Sequence, residues 1–191
     1  MRELKYQICT NCVMDTSDPN IQFDGNGVCD RCNQFYNEIL LTWPQGEAAK
    51  KELDNIVHKI KQEGKNRQYD SILGLSGGFD SSYMLHFAVK ELGLRPLVFH
   101  IDAGWDTPFA LENIKKMVTK LNIDLKVEKI DWEEMKDFQL AFFKSGVPHL
   151  DIPQDHAFVS ILYNYAEDHS IKYILNGGNI STEVVVNPSS W

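Results

Sequence analysis

The glycine loop, residues 76–82, is the strongest chemical signal in the sequence. Its residues read Ser-Gly-Gly-Phe-Asp-Ser-Ser, and they lie between a predicted strand and a predicted helix. Glycines let the backbone approach phosphate oxygens closely, and the amides of a helix N-terminus favour anions. The sequence therefore predicts a phosphate-binding loop, and a helix start capped by serine is the plainer alternative.

The residues of the loop are predicted to have different roles in phosphate binding. Cofactor-binding roles are predicted for Ser76, Gly77, Gly78 and Ser82, and catalytic roles for Asp80 and Ser81. A carboxylate repels phosphate, so Asp80 is expected to hold a bridging Mg²⁺. The loop has neither the lysine of a GxxxxGK[ST] loop nor the GxGxxG spacing of dinucleotide-binding folds.

Two further segments lie where predicted strands end. Residues 100–105, which include Ile101 and Asp102, close the second predicted strand, and a doubly wound sheet presents ligands at such ends. The Asn-Gly-Gly-Asn stretch at residues 176–179 follows the last predicted strand, where Gly177 and Gly178 permit a close backbone approach. An ordinary strand end and a simple glycine turn remain the alternatives.

All four cysteines lie in the first 32 residues, as Cys9, Cys12, Cys29 and Cys32. Two C-x2-C pairs separated by 16 residues fit the spacing of a zinc site. Four thiolates form a closed structural site with no open coordination position. An iron–sulfur or sulfur-carrying role and disulfide bonds remain as alternatives.

Residues 148–157 are dense in titratable groups, and Asp151, Asp155 and His156 are the candidate substrate-binding residues. Two carboxylates and two histidines in one loop at the ligand edge of a sheet favour a functional role. Because Asp155 and His156 begin a predicted helix, simple helix capping is the alternative.

The elements that must position these residues alternate between strands and helices. Strands are predicted over 71–75, 96–101, 125–130 and 172–175, and helices over 81–92, 108–121, 132–144 and 154–169. This order predicts an α/β fold with a doubly wound parallel sheet. A small four-cysteine zinc module at 1–35 and a helical connector at 36–69 precede the sheet domain at 70–191.

Composition limits the partners. The chain of 191 residues has a net charge of −8, and residues 70–191 hold 10 Lys and Arg against 17 Asp and Glu. Since nucleic acids bind to basic surfaces, a nucleic-acid partner is not expected. The sequence has neither the apolar core of a signal peptide nor a run that could cross a membrane, so we expect a cytoplasmic protein with no membrane partner.

The glycine loop resembles the SGGxDS pyrophosphatase loop of the PP-loop ATPases, which include GMP, NAD and asparagine synthetases and tRNA thiolases. The resemblance implies cleavage of ATP to AMP and pyrophosphate, with Mg²⁺ and an adenylylated substrate. It places adenosine near the backbone of Ile101 and Asp102 and implies a nucleotide-side loop at Gly177 and Gly178. Phe79 stands where aliphatic residues are more common, and we expect its side chain to face the core.

The combination of segments is similar to the N-acetyl sugar amidotransferases of bacterial lipopolysaccharide and O-antigen synthesis. It rests on the cysteine pairs, the glycine loop and residues 100–105, 151–157 and 177–180. The resemblance implies conversion of an acetamido group to an acetamidino group on a nucleotide-linked sugar. With all four cysteines assigned to metal, ammonia is expected from a separate glutaminase subunit.

Two other functions stay open from the sequence: a tRNA-modifying PP-loop thiolase, and an inactive nucleotide-binding scaffold. The resembled family is about twice this length, and residues 187–191 read as the middle of a loop. We therefore expect the sheet domain to be truncated, the isolated chain to be inactive and self-association to be possible through its uncovered sheet edge.

Overall fold

A computed structural model describes residues 5–147 and 149–178 of the chain. Among these residues, those up to Asn55 form one compact unit and those from Ile56 onward form a second. The division falls inside the connector predicted at 36–69. The described residues do not include Pro148, residues 179–180 after the last glycine pair, or the loop predicted at 187–191.

The first unit is built around the four cysteines. Isolated antiparallel bridges join Ile8 to Asp15 and Phe23 to Cys29. A short helix, α1 (Asp30–Gln34), continues through a π-helical turn at Phe35–Ile39 into α2 (Leu40–Thr42). Ile21 and the buried cysteines form its small core. A unit with so few buried apolar side chains depends on a further cross-link for stability.

The second unit contains a parallel sheet, as the strand–helix alternation predicted. Its strands are β1 (Ser71–Gly74), β2 (Pro96–Asp102), β3 (Leu125–Lys129) and β4 (Ile174–Leu175). They stand in the order β3-β2-β1-β4, and every neighbouring pair is parallel. The parallel α/β fold is thereby confirmed. The strand order changes side at β1, because β2 and β3 lie on one side of it and β4 lies on the other.

The helices begin and end close to their predicted bounds. They are α3 (Gly46–Glu63), α4 (Phe79–His86), α5 (Pro108–Leu121), α6 (Trp132–Ser145) and α7 (Ile152–Asp168). The helix predicted over 81–92 differs most. It starts two residues earlier, at the glycine loop itself, and its second half, Phe87–Glu91, is a π-helical turn. No helix within residues 5–147 and 149–178 is long and apolar enough to cross a membrane.

Both faces of the sheet are covered, because successive side chains of a strand point to opposite faces. On one face Ile72, Leu97 and Phe99 pack in a cluster with Phe158 and Leu162 of α7. On the other, Leu73, Leu75 and Val98 pack with Leu85 of α4 and Ile114 of α5. This double burial explains why β2 reads as a continuous apolar run.

An ion pair between the buried Asp70 and the half-exposed Arg95 lies at the start of β1. Asp70 is buried, and its carboxylate accepts hydrogen bonds from the backbone amide of Arg95 at 2.9 and 3.0 Å. The guanidinium of Arg95 in turn donates to the carbonyls of Arg67 and Gly64. These bonds align the starts of β1 and β2, and therefore also the register at which the two strands end.

We expect the substitution Val98→Ala to lower the free energy of unfolding by about 2–3 kcal/mol, because it leaves a cavity in a packed core. Val98 is 0% exposed, whereas Val127 on the edge strand β3 is 51% exposed. The control Val127→Ala should cost less than about 1 kcal/mol. Chemical denaturation of both variants measures the difference, and equal losses would contradict this assignment of the core.

Candidate functional site

The glycine loop connects the end of β1 to the first residue of α4. Gly77 has a φ of +77°, and a Cβ atom at this position would lie 2.3 Å from the backbone carbonyl oxygen of Ala110. The Asn113 side chain also donates a hydrogen bond to the Gly77 carbonyl at 3.1 Å. The loop is therefore held directly against the backbone of α5, and only glycine fits at position 77.

The serines of the loop form a hydrogen-bonded group. The Ser81 hydroxyl accepts from the Ser76 amide at 3.2 Å and lies 2.9 Å from the Ser76 hydroxyl, which itself accepts from the Gly78 amide at 3.3 Å. The Ser82 hydroxyl is buried and has no hydrogen-bond partner among the described residues. A buried hydroxyl without a partner is costly, so a ligand or water that reaches Ser82 would stabilise the loop.

The N-terminus of α4 has the features of an anion site. Gly78 is its N-cap residue, and no side chain caps it by a hydrogen bond. The amides of the first turn therefore point outward with the positive end of the helix dipole. The N-cap residue of this helix is therefore glycine and not serine, and phosphate binding by the loop stays a prediction.

The last glycine stretch meets the loop, although it is 100 residues away in sequence. A Cβ atom at Gly177 would lie 3.0 Å from the backbone carbon of Asp80 and 3.1 Å from the Ser81 amide nitrogen. The Gly178 amide donates to the Asn176 side chain, which shapes the turn. The pairing of β4 with β1 brings these segments together.

Phe79 corrects one sequence prediction. We expected its side chain to face the core, but it is 83% exposed. Because α4 begins at Phe79 and Leu85 faces the core, the first residue of the helix points outward. Its ring lies parallel to that of Tyr83, at a centroid distance of 6.4 Å. The carboxylate residue Asp80, next along the helix, is also exposed.

A cavity of about 330 Å³ opens beside the loop, at the carboxyl ends of β1 and β2. We call it the strand-end cavity. Its walls include Ser76 from the loop, Ile101 and Trp105 from the end of β2 and the following turn, and Gln154 and Phe158 from α7. Ile101 therefore lines the cavity, and its role beside adenosine stays a prediction. Asp102 is not among the lining residues, and its carboxylate accepts from the Gly104 amide at 3.0 Å.

Two residues that the sequence did not single out as site residues, His100 and Asp106, stand in the wall of the strand-end cavity. His100 is 5% exposed; its Nδ1 lies 2.9 Å from the Leu75 carbonyl oxygen and its Nε2 lies 2.8 Å from an Asp106 carboxylate oxygen. The imidazole therefore connects the residue before the glycine loop to the turn after β2. No sequence motif signals this pair, because it depends on how the turn folds back.

The predicted substrate residues lie at the start of α7. The helix begins at Ile152, so its N-cap residue is Asp151 and not Asp155, and the Asp151 side chain forms no capping hydrogen bond. Burial and the neighbouring Asp151 raise the pKa of Asp155, and His149 and His156 oppose the shift. The structure thus brings the titratable groups together. They do not line the strand-end cavity, although Gln154 on the same turn does.

The four cysteine sulfurs converge in the first unit, all within 4.8 Å of one another. The Sγ atoms of Cys9 and Cys32 are 3.9 Å apart, and those of Cys12 and Cys29 are 3.7 Å apart. Zn–S bonds of about 2.3 Å in a tetrahedron place sulfurs about 3.8 Å apart. The spacing therefore fits a zinc ion held by four thiolates, and it is too long for disulfide bonds.

Backbone amides support the cysteine cluster. Burial raises the pKa of the Cys9 thiol, but hydrogen bonds from the amides of Cys29, Asn11 and Cys12 outweigh it and bring the pKa to about 6. Asn11 contributes further, because its side-chain amide donates to the Cys32 sulfur at 3.2 Å. Such N–H···S bonds hold the ligands in place for a metal.

The comparisons with known proteins concern the sheet. Residues 71–147 match the family model described as the phosphoadenosine phosphosulfate reductase domain. This segment contains β1, the glycine loop, β2 and β3, and the match supports a parallel α/β fold of the PP-loop type for this part of the chain. No curated protein sequence matches the chain.

Three solved structures are similar at low identity. An NH3-dependent NAD synthetase from Campylobacter jejuni is 22% identical over 69% of this chain and 57% of that chain, with a TM-score of 0.48. A glutamine-dependent NAD+ synthetase from Acinetobacter baumannii is 18% identical over 65% of this chain and 24% of that chain, with a TM-score of 0.49. An NMN synthetase from Francisella tularensis is 21% identical over 63% of this chain and 51% of that chain, with a TM-score of 0.43. The chain spans less than two thirds of the length of each. None of the three is an N-acetyl sugar amidotransferase.

We expect Gly77→Ala to destabilise the protein by about 2 kcal/mol or more, because the left-handed backbone and the Ala110 carbonyl both exclude a side chain. Gly78→Ala is the matched control, since the φ of Gly78 is −74° and only the Ser76 hydroxyl, at 3.4 Å, approaches its Cβ position. Thermal unfolding of both variants checks the difference. A tolerated alanine at position 77 would contradict the close contact of the loop with α5.

We expect one zinc ion per chain, bound by the four cysteines. Cys12→Ser should lose the metal and unfold the first unit, because this unit has little core of its own. Cys12→His is the control, since an imidazole nitrogen can replace a thiolate as a zinc ligand. Metal analysis of the purified proteins measures the ratio, and a brown iron–sulfur chromophore would contradict zinc.

Proposed function

We propose that the second unit cleaves ATP between its α- and β-phosphates and transfers the adenylyl group to a substrate. The proposal rests on one observation: the glycine loop and the strand-end cavity share the residue Ser76. This residue begins the glycine loop and also lines the strand-end cavity. Adenosine in the cavity would leave its phosphates at the loop, where amides and hydroxyls favour anions.

Each loop residue has a role in this reaction. The amides and hydroxyls of Ser76, Gly77, Gly78, Ser81 and Ser82 would hold the departing pyrophosphate. The exposed carboxylate of Asp80 on the first turn of α4 would hold Mg²⁺, which supplies charge neutralisation when bound. The loop residues contribute mainly by positioning the phosphates and stabilising their charge. Ser81 fits that role because its hydroxyl already accepts from the Ser76 amide.

We infer that the substrate is an acetamido group on a nucleotide-linked sugar. The amide oxygen attacks the α-phosphorus, the bond to the β-phosphate oxygen breaks, and pyrophosphate leaves. Ammonia then attacks the imidate carbon, the carbon–oxygen bond breaks, AMP leaves, and release of a proton gives the amidine. The resemblance of the cysteine pairs, the glycine loop and residues 151–157 to N-acetyl sugar amidotransferases supports this substrate.

Ammonia would come from a separate glutaminase subunit. All four cysteines of the sequence lie in the converged cluster, so none is left as a glutaminase nucleophile. Asp151, Asp155 and His156, whose carboxylates and imidazole lie together at the start of α7, would bind the substrate. The zinc ion would stabilise the first unit and take no part in the chemistry.

A second candidate function is the reduction of a sulfonucleotide, which the family match over residues 71–147 favours. Such a reaction needs a two-electron donor, and a thiol pair is the ordinary protein source. The assignment of all four cysteines to one closed cluster leaves no such pair. We therefore rank adenylyl transfer first.

We expect any turnover of ATP in the presence of Mg²⁺, ammonium and UDP-N-acetylglucosamine, one acetamido sugar nucleotide, to yield AMP and pyrophosphate in equal amounts and no ADP. Asp80→Ala should remove Mg²⁺-dependent ATP binding and leave the fold intact, because Asp80 is an exposed loop-end residue. Product chromatography and equilibrium dialysis measure the two effects.

Asp54→Ala, a change of an exposed carboxylate in α3 outside the glycine loop, is the control for lost charge. A dominant ADP peak would contradict cleavage between the α- and β-phosphates. AMP released in response to tRNA instead of the sugar nucleotide would identify a tRNA-modifying enzyme, and sulfite released from a sulfonucleotide would favour the second candidate.

A further inference from the structure

A second cavity of about 680 Å³ opens between the glycine loop and α5. We call it the loop–α5 cavity. It shares one residue, Ser76, with the strand-end cavity. Its floor is formed where Gly77 lies against Ala110 and Asn113. The proposed function does not use this cavity beyond the loop itself.

Two exposed aromatic side chains line this cavity from different elements. Phe79, at the start of α4, is 83% exposed, and Phe109, in the first turn of α5, is 72% exposed. Large apolar side chains that are so exposed and that line one concave site favour a ligand. Aromatic faces of this kind bind flat rings by stacking.

The cavity is also positively charged. Lys116 and Lys120 of α5 line it, and none of the described residues that line it is Asp or Glu. The Lys116 ammonium is paired with Glu112 at 2.7 Å, whereas Lys120 forms no salt bridge within the described part of the chain. A cation without a salt-bridge partner is suited to a phosphate group.

We propose that the loop–α5 cavity binds the diphosphate and a ring of the second substrate, an organic diphosphate whose sugar would extend toward the residues at the start of α7. The inference rests on the proposed adenylyl transfer. Lys120 contacts the diphosphate, and Phe79 and Phe109 cover the ring of the ligand. A nucleoside diphosphate sugar has both features.

The geometry of the two cavities supports this assignment. An acceptor oxygen must reach the α-phosphorus of ATP, so the two substrates have to meet at one point. Ser76 lines both the strand-end cavity and the loop–α5 cavity. A substrate held along α5 would therefore present its reactive end at the loop, at the phosphates of an ATP whose adenosine fills the other cavity.

The diphosphate that binds in this cavity could also be the pyrophosphate released from ATP. That ion has no apolar part, and it would gain nothing from Phe79 and Phe109. The aromatic walls and the volume of the cavity therefore favour an organic diphosphate. The experiment distinguishes these two sources directly.

Binding of three probes to the full chain tests the proposal: UDP-N-acetylglucosamine, inorganic pyrophosphate and α,β-methylene-ATP, which is not cleaved. We expect Lys120→Glu and Phe109→Ala each to weaken UDP-N-acetylglucosamine about tenfold, the loss of one good charged or stacking contact. Binding of α,β-methylene-ATP should change less than about twofold. Isothermal titration calorimetry measures all three, and circular dichroism verifies that the variants fold.

Lys115→Glu is the matched control, because Lys115 is exposed on the same helix, does not line the cavity and changes the net charge equally. Equal weakening of all three probes by Lys120→Glu would assign the cavity to the phosphates of ATP and overturn the proposal. No measurable binding of UDP-N-acetylglucosamine, or equal effects of Lys115→Glu and Lys120→Glu, would overturn it too. Failure of the adenylyl transfer itself would appear separately, as absence of AMP with intact binding of both nucleotides.

Discussion

The contact between the backbones of Gly77 and Ala110 is the constraint on which the site depends. It leaves no room for a side chain and sets the distance between the glycine loop and α5. The Asn113 side chain fixes the same contact through the Gly77 carbonyl. Since β1 and β2 are aligned at their starts by the Asp70–Arg95 pair, the loop and the end of β2 reach the same edge of the sheet.

The two compact units obtain their stability in different ways. The second unit buries both faces of a parallel sheet under helices, so its loops can be shaped for binding without loss of the core. The first unit has mainly cysteines in its core. The spacing of their sulfurs is close to the edge of a zinc tetrahedron, so a bound zinc ion would provide the cross-link that the small core lacks.

The sequence predicted those features that depend on neighbouring residues. The glycine loop, the C-x2-C pairs and the helix over 108–121 each have a local signal in glycines, cysteine spacing or a proline in the first turn. The predicted orientation of the Phe79 side chain was wrong, because the helix starts two residues earlier than its apolar pattern indicates. The sequence did not predict the features that depend on tertiary contacts. The His100–Asp106 pair needs the turn after β2 to fold back, and Lys116 and Lys120 look in sequence like an ordinary solvated helix face.

The hydrogen bonds of His100 have a consequence for how the strand-end cavity can discriminate between ligands. Both ring nitrogens are engaged within the protein, Nδ1 by the Leu75 carbonyl oxygen and Nε2 by an Asp106 carboxylate oxygen. The titratable side chains of the wall thus satisfy each other, and Gln154, the Ser76 hydroxyl and the main chain of the strand ends remain to meet a ligand. Selectivity for a ligand bound in this cavity would then depend mainly on backbone groups and on shape, and less on charged side chains.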